Sequence, residues 1–125
     1  MQARIAVSRA RSDVALAAYQ QTVLRALEET ENALVTHART RDSLTDATAA
    51  ADSSRDAANI ARLRYEGGMV DFLDVLDAER TQLAAEDRLA QSRTDAATSL
   101  IALYKALGGA WELAPAPHYV RSAGG

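Results

Sequence analysis

Apolar residues recur with helical spacing in two arms of this chain, and a pair of glycines separates the arms. Neither proline nor glycine occurs between Gln2 and Tyr65, so this stretch is permissive for one continuous helix. At about 1.5 Å per residue, that helix would be about 95 Å long. A second helical pattern runs from about Asp71 to Leu107, where Lys105 followed by Gly108-Gly109 is typical of a helix end.

The segment between the arms has the features of a hairpin tip. Arg62 and Arg64 put positive charge into the last turn of the first helix. We expect both Gly67 and Gly68 to adopt left-handed conformations, which cost a glycine little. Asp71 can then cap the second helix. Because so short a connection makes neighbouring helices run antiparallel, the chain is predicted to fold back on itself.

The predicted fold class is therefore all-α, a long antiparallel helical hairpin of the coiled-coil type. Its helices cover about residues 2–65 and 71–107, its turn covers residues 66–70, and a flexible tail covers residues 113–125. A compact three-helix bundle, made by a break in the middle of the long arm, is the competing arrangement. An isolated chain would bury more surface in that way.

A seven-residue step on the second arm predicts the face that packs on the first arm. Such a step is typical of the seam of a left-handed coiled coil. The stripe consists of Leu76, Leu83, Ala90, Ala97 and Tyr104, with Leu73, Leu100, Ile101 and Leu107 beside it. The matching positions on the first arm are Leu27, Leu34, His37 and Leu44. Folding at the tip would bring the two stripes together, for example Leu44 near Ala90.

The first arm is longer than the second, so residues 1 to about 26 would extend beyond the hairpin. This stretch nevertheless carries apolar side chains that favour burial: Ile5, Val14, Tyr19, Val23 and Leu24. Neighbours from another chain, or from sequence outside this one, are implied. We expect the chain to be a piece of a larger protein, and the isolated fragment to self-associate or to be only partly folded.

Composition narrows the class of protein further. The 125 residues make one domain at most, and 48% hydrophobic residues with only 5% aromatic ones suit close helix packing. A net charge of −3 gives no general attraction to nucleic acid, and the absence of cysteine excludes disulfides and thiolate metal sites. No apolar run is long enough for a membrane span, and the first residues lack the core of an export signal.

Candidates for chemistry are few. His37 and His118 are the only histidines, and neither belongs to a zinc or di-iron pattern. His37, on the inner stripe, is predicted to be a partly buried hydrogen-bonding residue. The acidic cluster Glu28, Glu29 and Glu31 fans over different helix faces. A helical-bundle enzyme would need a nucleophile and base or a metal set, so we expect no catalysis, no cofactor and no metal.

A resemblance to a known family rests on the combination of three motifs. They are an RYxxG tip, a DVLDAxR opening turn and a YKALGGxW ending, within RYEGGMVDFLDVLDAERTQLAAEDRLAQSR and LIALYKALGGAW. These stretches resemble the C-terminal hairpin of TolC-like outer-membrane efflux proteins. The upstream AYQQTVLRALEETENAL is similar to the descending helix of the same repeat, so the resemblance covers roughly residues 2–112.

The resemblance implies a place in a larger assembly. Family members are trimers whose duplicated subunits combine a short outer-membrane β-barrel with a long periplasmic α-helical tunnel. They work with a periplasmic adaptor protein and an inner-membrane pump to export small molecules. This sequence has no alternating strand segments and no first repeat, so we expect the barrel to be absent from this chain. A periplasmic adaptor, or another coiled-coil interaction protein, is the alternative.

The resemblance also implies functional residues near the tip. Asp74 and Asp77 fall where relatives carry acidic residues at the tunnel entrance, off the Leu73 and Leu76 face that we expect to be buried. Three subunits would place these carboxylates around one axis. The alternative is that they are ordinary acidic residues in the first turn of an exposed helix. Tyr65 matches a tyrosine that helps to hold the entrance closed in some relatives, or it simply covers the hairpin end.

The turn itself corresponds to the part of the family that meets the adaptor. The implied contact residues are Gly67, Gly68, Met69 and Val70. Val70 stands where some relatives have an arginine that locks the entrance, so we do not expect that kind of lock here.

Overall fold

The structure is a computed structural model that describes residues 1–112, and it consists of two long helices. Helix α1 is Gln2–Glu66 and helix α2 is Phe72–Glu112. They pack against each other in opposite directions, which confirms the predicted antiparallel hairpin. Helix α1 runs without a break through the region Ala47 to Ser54, so the three-helix bundle does not form. The predicted tail, residues 113–125, and His118 lie outside the described residues.

Helix α2 does not end at its glycine pair. It continues through Gly108 and Gly109 to Glu112, so the predicted end near Leu107 is wrong. A glycine within a helix costs only about 1 kcal/mol relative to alanine, and it neither removes a hydrogen bond nor clashes. The residue that would do both is proline, and the next proline along the sequence is Pro115.

The buried seam between the helices is built mainly of small side chains. Its members recur at steps of three and four residues, as in a coiled coil. In α1 they are Ala26, Thr30, Ala33, His37, Thr40, Leu44, Ala47, Ala51, Ser54, Ala58 and Ala61. In α2 they are Val75, Ala78, Gln82, Ala85, Leu89, Ser92, Ala96, Ser99, Leu103 and Ala106. Ala51 and Ala58 have 0% of their surface exposed, and Val75 and Leu89 are the large buried residues.

This seam corrects the sequence-based one. The predicted α2 stripe lies one residue away from the true seam, and it faces outward: Leu73 is 74% exposed, Leu83 is 62% exposed and Tyr104 is 68% exposed. The other members of the predicted α2 set are exposed too: Leu76, Ala90, Ala97, Leu100, Ile101 and Leu107. On α1, Leu27 and Leu34 are also exposed, whereas His37 and Leu44 do belong to the seam.

The reason for the difference is helix separation. The distance between two packed helices depends on the side chains at their contact, and a seam of alanine and serine allows a close approach. The predicted seam followed side-chain size instead. One residue corresponds to about 100° of rotation around a helix with 3.6 residues per turn, so a shift of one residue moves a whole stripe off the contact.

The first part of α1 has no partner within the hairpin. Every residue from Met1 to Arg25 is exposed, including Val14 and Tyr19. The predicted overhang is therefore present in the structure. None of the described helices contains an apolar stretch that could cross a membrane.

Candidate functional site

The hairpin tip is closed by a Schellman motif, the standard glycine-terminated end of a helix. The Gly68 N–H donates to the Tyr65 carbonyl oxygen at 2.9 Å, and the Met69 N–H donates to the Arg64 carbonyl oxygen at 2.8 Å. Gly68 has a φ of 73°, in the left-handed region. Gly67 has a φ of −78° and is right-handed, so the expectation of two left-handed glycines is wrong for Gly67. The motif needs only one such residue.

The apex carries exposed apolar side chains. Met69 is 71% exposed, whereas Val70 is half-buried. Tyr65 and Phe72 bracket the turn, and their rings pack with centroids 5.5 Å apart at an interplanar angle of 56°. Such tilted aromatic pairs are favourable. This contact restrains the Tyr65 ring beside the turn. Phe72 was not among the predicted site residues, although an aromatic residue on each side of a glycine turn is a readable signal.

Asp74 and Asp77 lie on one exposed face at the start of α2. The Asp74 N–H donates to the Asp71 carbonyl oxygen at 3.1 Å, which fixes the first turn. Within residues 1–108 neither carboxylate belongs to an ion pair. Leu73 and Leu76 are exposed, so the expectation that their face is buried in the hairpin is wrong, and Val75 between them is buried instead.

One flank of the hairpin is held by ion pairs between the helices. Arg62 Nε lies 2.8 Å from Glu79 Oε1, and Arg55 Nη2 lies 3.2 Å from Glu86 Oε1. Gln82 also donates to Glu86 at 2.9 Å. The hydrogen bond from Gln82, followed by that from Arg55, lowers the pKa of Glu86. We call this side the paired flank. These ion pairs were not predicted from the sequence, because they depend on the register of the two helices.

The opposite flank is an open groove of about 830 Å³ between the helices. We call it the groove flank. Its floor is made of small side chains, and its charged lining residues are Arg80, Arg88 and Asp46. Thr81 and Arg88 follow Asp74 at seven-residue steps, and Ala84 and Gln91 follow Asp77 in the same way; all four line the groove. The groove flank is therefore the continuation of the face that carries the two aspartates.

A polar node lies in the seam far from the tip. His37 Nδ1 is 3.0 Å from Ser99 Oγ, and Thr40 Oγ1 is 2.7 Å from the same oxygen. Ser99 Oγ also donates to the Ala96 carbonyl oxygen at 2.8 Å. Thr40 Oγ1 also lies 2.9 Å from the His37 carbonyl oxygen, so the two hydroxyl protons of Thr40 and Ser99 are shared among three oxygen–oxygen contacts. His37 is partly buried and hydrogen-bonded, as predicted, whereas its partner Ser99 was missed.

The described residues contain no group of His, Cys, Asp or Glu side chains that could hold a metal ion. The site is thus a tip, a paired flank and a groove flank, with charges placed along the groove side. Such an arrangement can bind or guide other molecules by shape and charge.

Comparison with known proteins gives the family. The family model described as outer membrane efflux protein matches residues 1–109. The outer membrane protein OprJ of Pseudomonas aeruginosa is 34% identical over 110 residues, which are 88% of this chain and 23% of OprJ. The solvent efflux pump outer membrane protein SrpC of Pseudomonas putida is 27% identical over 113 residues, 90% of this chain and 24% of SrpC.

A solved structure of the outer-membrane channel OprN has the same local fold. It superposes with a TM-score of 0.69 at 42% sequence identity, over 89% of this chain and 25% of the OprN chain. This chain spans about a quarter of the length of each of these relatives. Since the family model matches the hairpin nearly from end to end, the chain belongs to the outer membrane efflux protein family.

Proposed function

We propose that this chain is part of the wall of the periplasmic helical tunnel in an outer-membrane efflux channel that exports small molecules within a tripartite pump. The family match over residues 1–109, on a hairpin whose large apolar side chains face outward, carries this proposal. The full-length parent would be a homotrimer located in the outer membrane and the periplasm. It would conduct solutes and catalyse no reaction.

The surface of the hairpin suits a place in such a wall. A wall element needs apolar sides for its neighbours and a polar side for the water-filled interior. The outward stripe with Leu73, Leu83 and Tyr104 provides an apolar side. The groove flank, which carries Arg88 and Gln91 above the aspartates, provides a polar one.

The alternative function is that of a periplasmic adaptor or another coiled-coil interaction protein. Adaptors also use long alanine-rich hairpins, so the fold by itself does not discriminate between the two classes. The match to the outer membrane efflux protein family favours the channel. The names of the relatives OprJ and SrpC describe outer membrane proteins, and SrpC is described as part of a solvent efflux pump.

In the proposed tunnel, the hairpin tip forms the periplasmic end. Asp74 and Asp77 of the three subunits would surround one axis at the entrance and attract cations there. Tyr65, held against Phe72, would stand beside this ring. The exposed apex, Gly67 to Val70 with Met69 at its most exposed point, would contact the periplasmic adaptor.

Replacing both entrance aspartates in the full-length parent tests this function. The variant Asp74→Asn/Asp77→Asn should lose a block of conductance by a trivalent cation, such as La³⁺, added from the periplasmic side. Closely spaced carboxylates repel one another, and a bound multivalent cation relieves that repulsion, so such a ring should be a strong cation site. Single-channel recordings in planar bilayers measure the block. It should weaken as salt rises, because screening limits exposed charges to a reach of about 8 Å near physiological ionic strength.

The matched control is Glu79→Gln, which removes a carboxylate close to the same height but on the paired flank. It should leave the cation block nearly unchanged. An equal block in the parent and in the double variant would show that Asp74 and Asp77 are ordinary residues of an exposed helix start. Trimer formation should survive the double substitution, since both side chains lie on the polar face that continues into the groove flank and not on the outward apolar stripe.

A further inference from the structure

The arginines of the two flanks differ in whether a carboxylate of the hairpin pairs with them. On the paired flank, Arg55 and Arg62 each contact a glutamate of α2. On the groove flank, Arg80 and Arg88 are in no ion pair within the part of the chain that the structure describes, and the one carboxylate in the groove lining is Asp46. The groove therefore carries an excess of positive charge. A guanidinium group stays charged at any physiological pH.

Arg88 lies on the same helix face as the entrance aspartate Asp74. The two are fourteen residues apart, which is two seven-residue steps, with Thr81 between them. At about 1.5 Å per residue, Arg88 stands about 21 Å further along the helix from the tip. Arg88 is exposed, and its groove neighbour Ser92 offers a further hydrogen-bond donor, whereas the side-chain amide of Gln91 donates to Asp95 at 2.9 Å. If Asp74 lines the interior of a tunnel, Arg88 lines the same interior further from the tip.

We propose that Arg88 is a second charge-selecting site of the tunnel, one that binds anionic groups of passing solutes such as carboxylates, sulfonates and phosphates. This inference rests on the proposed function, because only a closed tunnel brings copies of Arg88 around one interior. The side chain acts as a planar hydrogen-bond donor that matches these anions in a bidentate manner. Arg80 adds positive charge at the edge of the same groove.

The consequence is an order of charge along the pathway. A solute entering from the periplasm meets the carboxylates of Asp74 and Asp77 first and the guanidinium groups of Arg88 second. A cation is concentrated at the entrance and then meets a repulsive ring. A solute that carries both charges finds a partner at each level. The entrance alone would make the channel cation-selective, and Arg88 reduces that selectivity.

Ion selectivity of the full-length parent tests this site. Under a KCl gradient across a planar bilayer, Arg88→Gln should shift the reversal potential towards that of K⁺. Pyrophosphate should block this variant only at a several-fold higher concentration, because the guanidinium group that binds pyrophosphate is lost. The matched control is Arg93→Gln, which removes the same charge from an exposed position on the face of Glu79 and Glu86. This control should keep the reversal potential and the pyrophosphate block of the parent.

A second variant keeps the arginine and neutralises it. Gln91→Glu places a carboxylate three residues from Arg88 on the same side of the helix, within reach of an ion pair. It should change the selectivity in the same direction as Arg88→Gln, and it serves if that variant does not assemble. If the channels conduct but Arg88→Gln and Gln91→Glu both behave like Arg93→Gln, the role of Arg88 is wrong and the proposed function stands. Correctly assembled parent trimers that do not conduct would overturn the proposed function as well.

Discussion

On α2 the small side chains lie on the inner side and the large apolar side chains lie on the outer side, which is the reverse of the arrangement in a globular protein. Apart from Val75, Leu89 and Leu103, the inner side consists of alanine, serine and glutamine, whereas the outer side carries leucine, isoleucine and tyrosine. In an ordinary domain the larger apolar residues lie inside. The difference indicates that the hairpin contact is only one of the contacts for which this helix was selected. The second contact requires neighbours that bury the outer side.

The energetic consequence follows from the area that each side chain can bury. Full burial of a leucine contributes about 1.5–3 kcal/mol, and an alanine contributes much less because it has little apolar surface to remove from water. A seam made mainly of alanine therefore stabilises two helices weakly. The ion pairs of the paired flank add little, since exposed pairs gain modest energy in water. Most of the stability available to this sequence lies in the outer stripe, and neighbours are needed to realise it.

Truncating one leucine on each side of α2 tests this comparison, and it should give the largest effect. Leu89 is buried in the seam and Leu83 is exposed on the outer stripe of the same helix. We expect Leu89→Ala to lower the free energy of unfolding of the chain by about 2 kcal/mol, the lower end of the range for buried leucines in a thin core. Leu83→Ala should change it by less than about 0.5 kcal/mol. Urea denaturation followed by circular dichroism, at protein concentrations low enough to keep the chain monomeric, measures both. Equal losses would contradict the distinction between the two sides.

Substituting the two glycines at the tip should change the stability by an intermediate amount. Gly68→Ala forces a left-handed conformation on a residue with a Cβ atom, so we expect a loss of about 1–2 kcal/mol. Gly67→Ala needs no such conformation. Its Cβ would lie 3.4 Å from the Met69 Cε and 3.5 Å from the Leu63 carbonyl oxygen, which are ordinary contacts. Because alanine also restricts the unfolded chain, this variant should gain up to about 1 kcal/mol. Thermal denaturation would contradict this assignment if both variants lost stability equally.

Self-association through the outer stripe is the prediction with the smallest expected effect on the helices. We expect the isolated chain to self-associate at micromolar concentration, because exposed leucines on α2 and the uncovered start of α1 favour burial. Leu83→Glu should weaken this association, whereas Thr98→Glu, on the polar face, should not. Sedimentation equilibrium measures the effect. A fully helical monomer at every concentration would show that the outer stripe needs partners other than a second copy.

Several parts of the fold were readable from the sequence because they depend on neighbouring residues. The absence of proline and glycine over residues 2–65 gave one long helix, and the charged, glycine-containing segment gave the turn. The unequal arms gave the exposed start of α1. The helix end was wrong because a glycine pair permits a helix end without enforcing one. The roles of Asp74 and Asp77 rest on the resemblance and remain predictions.

The sequence by itself determined the two helices, the place of the tip and the demand for outside neighbours, whereas the structure showed that Gly68 is the left-handed residue of the glycine pair. The tertiary structure alone decided which face of α2 lies against α1, and with it the Ser99 contact of His37 and the pairing of Arg55 and Arg62. It also decided that Arg88 forms no ion pair among the residues that the structure describes. The physical reason is that periodicity fixes which residues share a face, whereas the rotation of one helix against another depends on the sum of contacts along both. A rotation of about 100°, a single residue, exchanges the seam for the outer stripe.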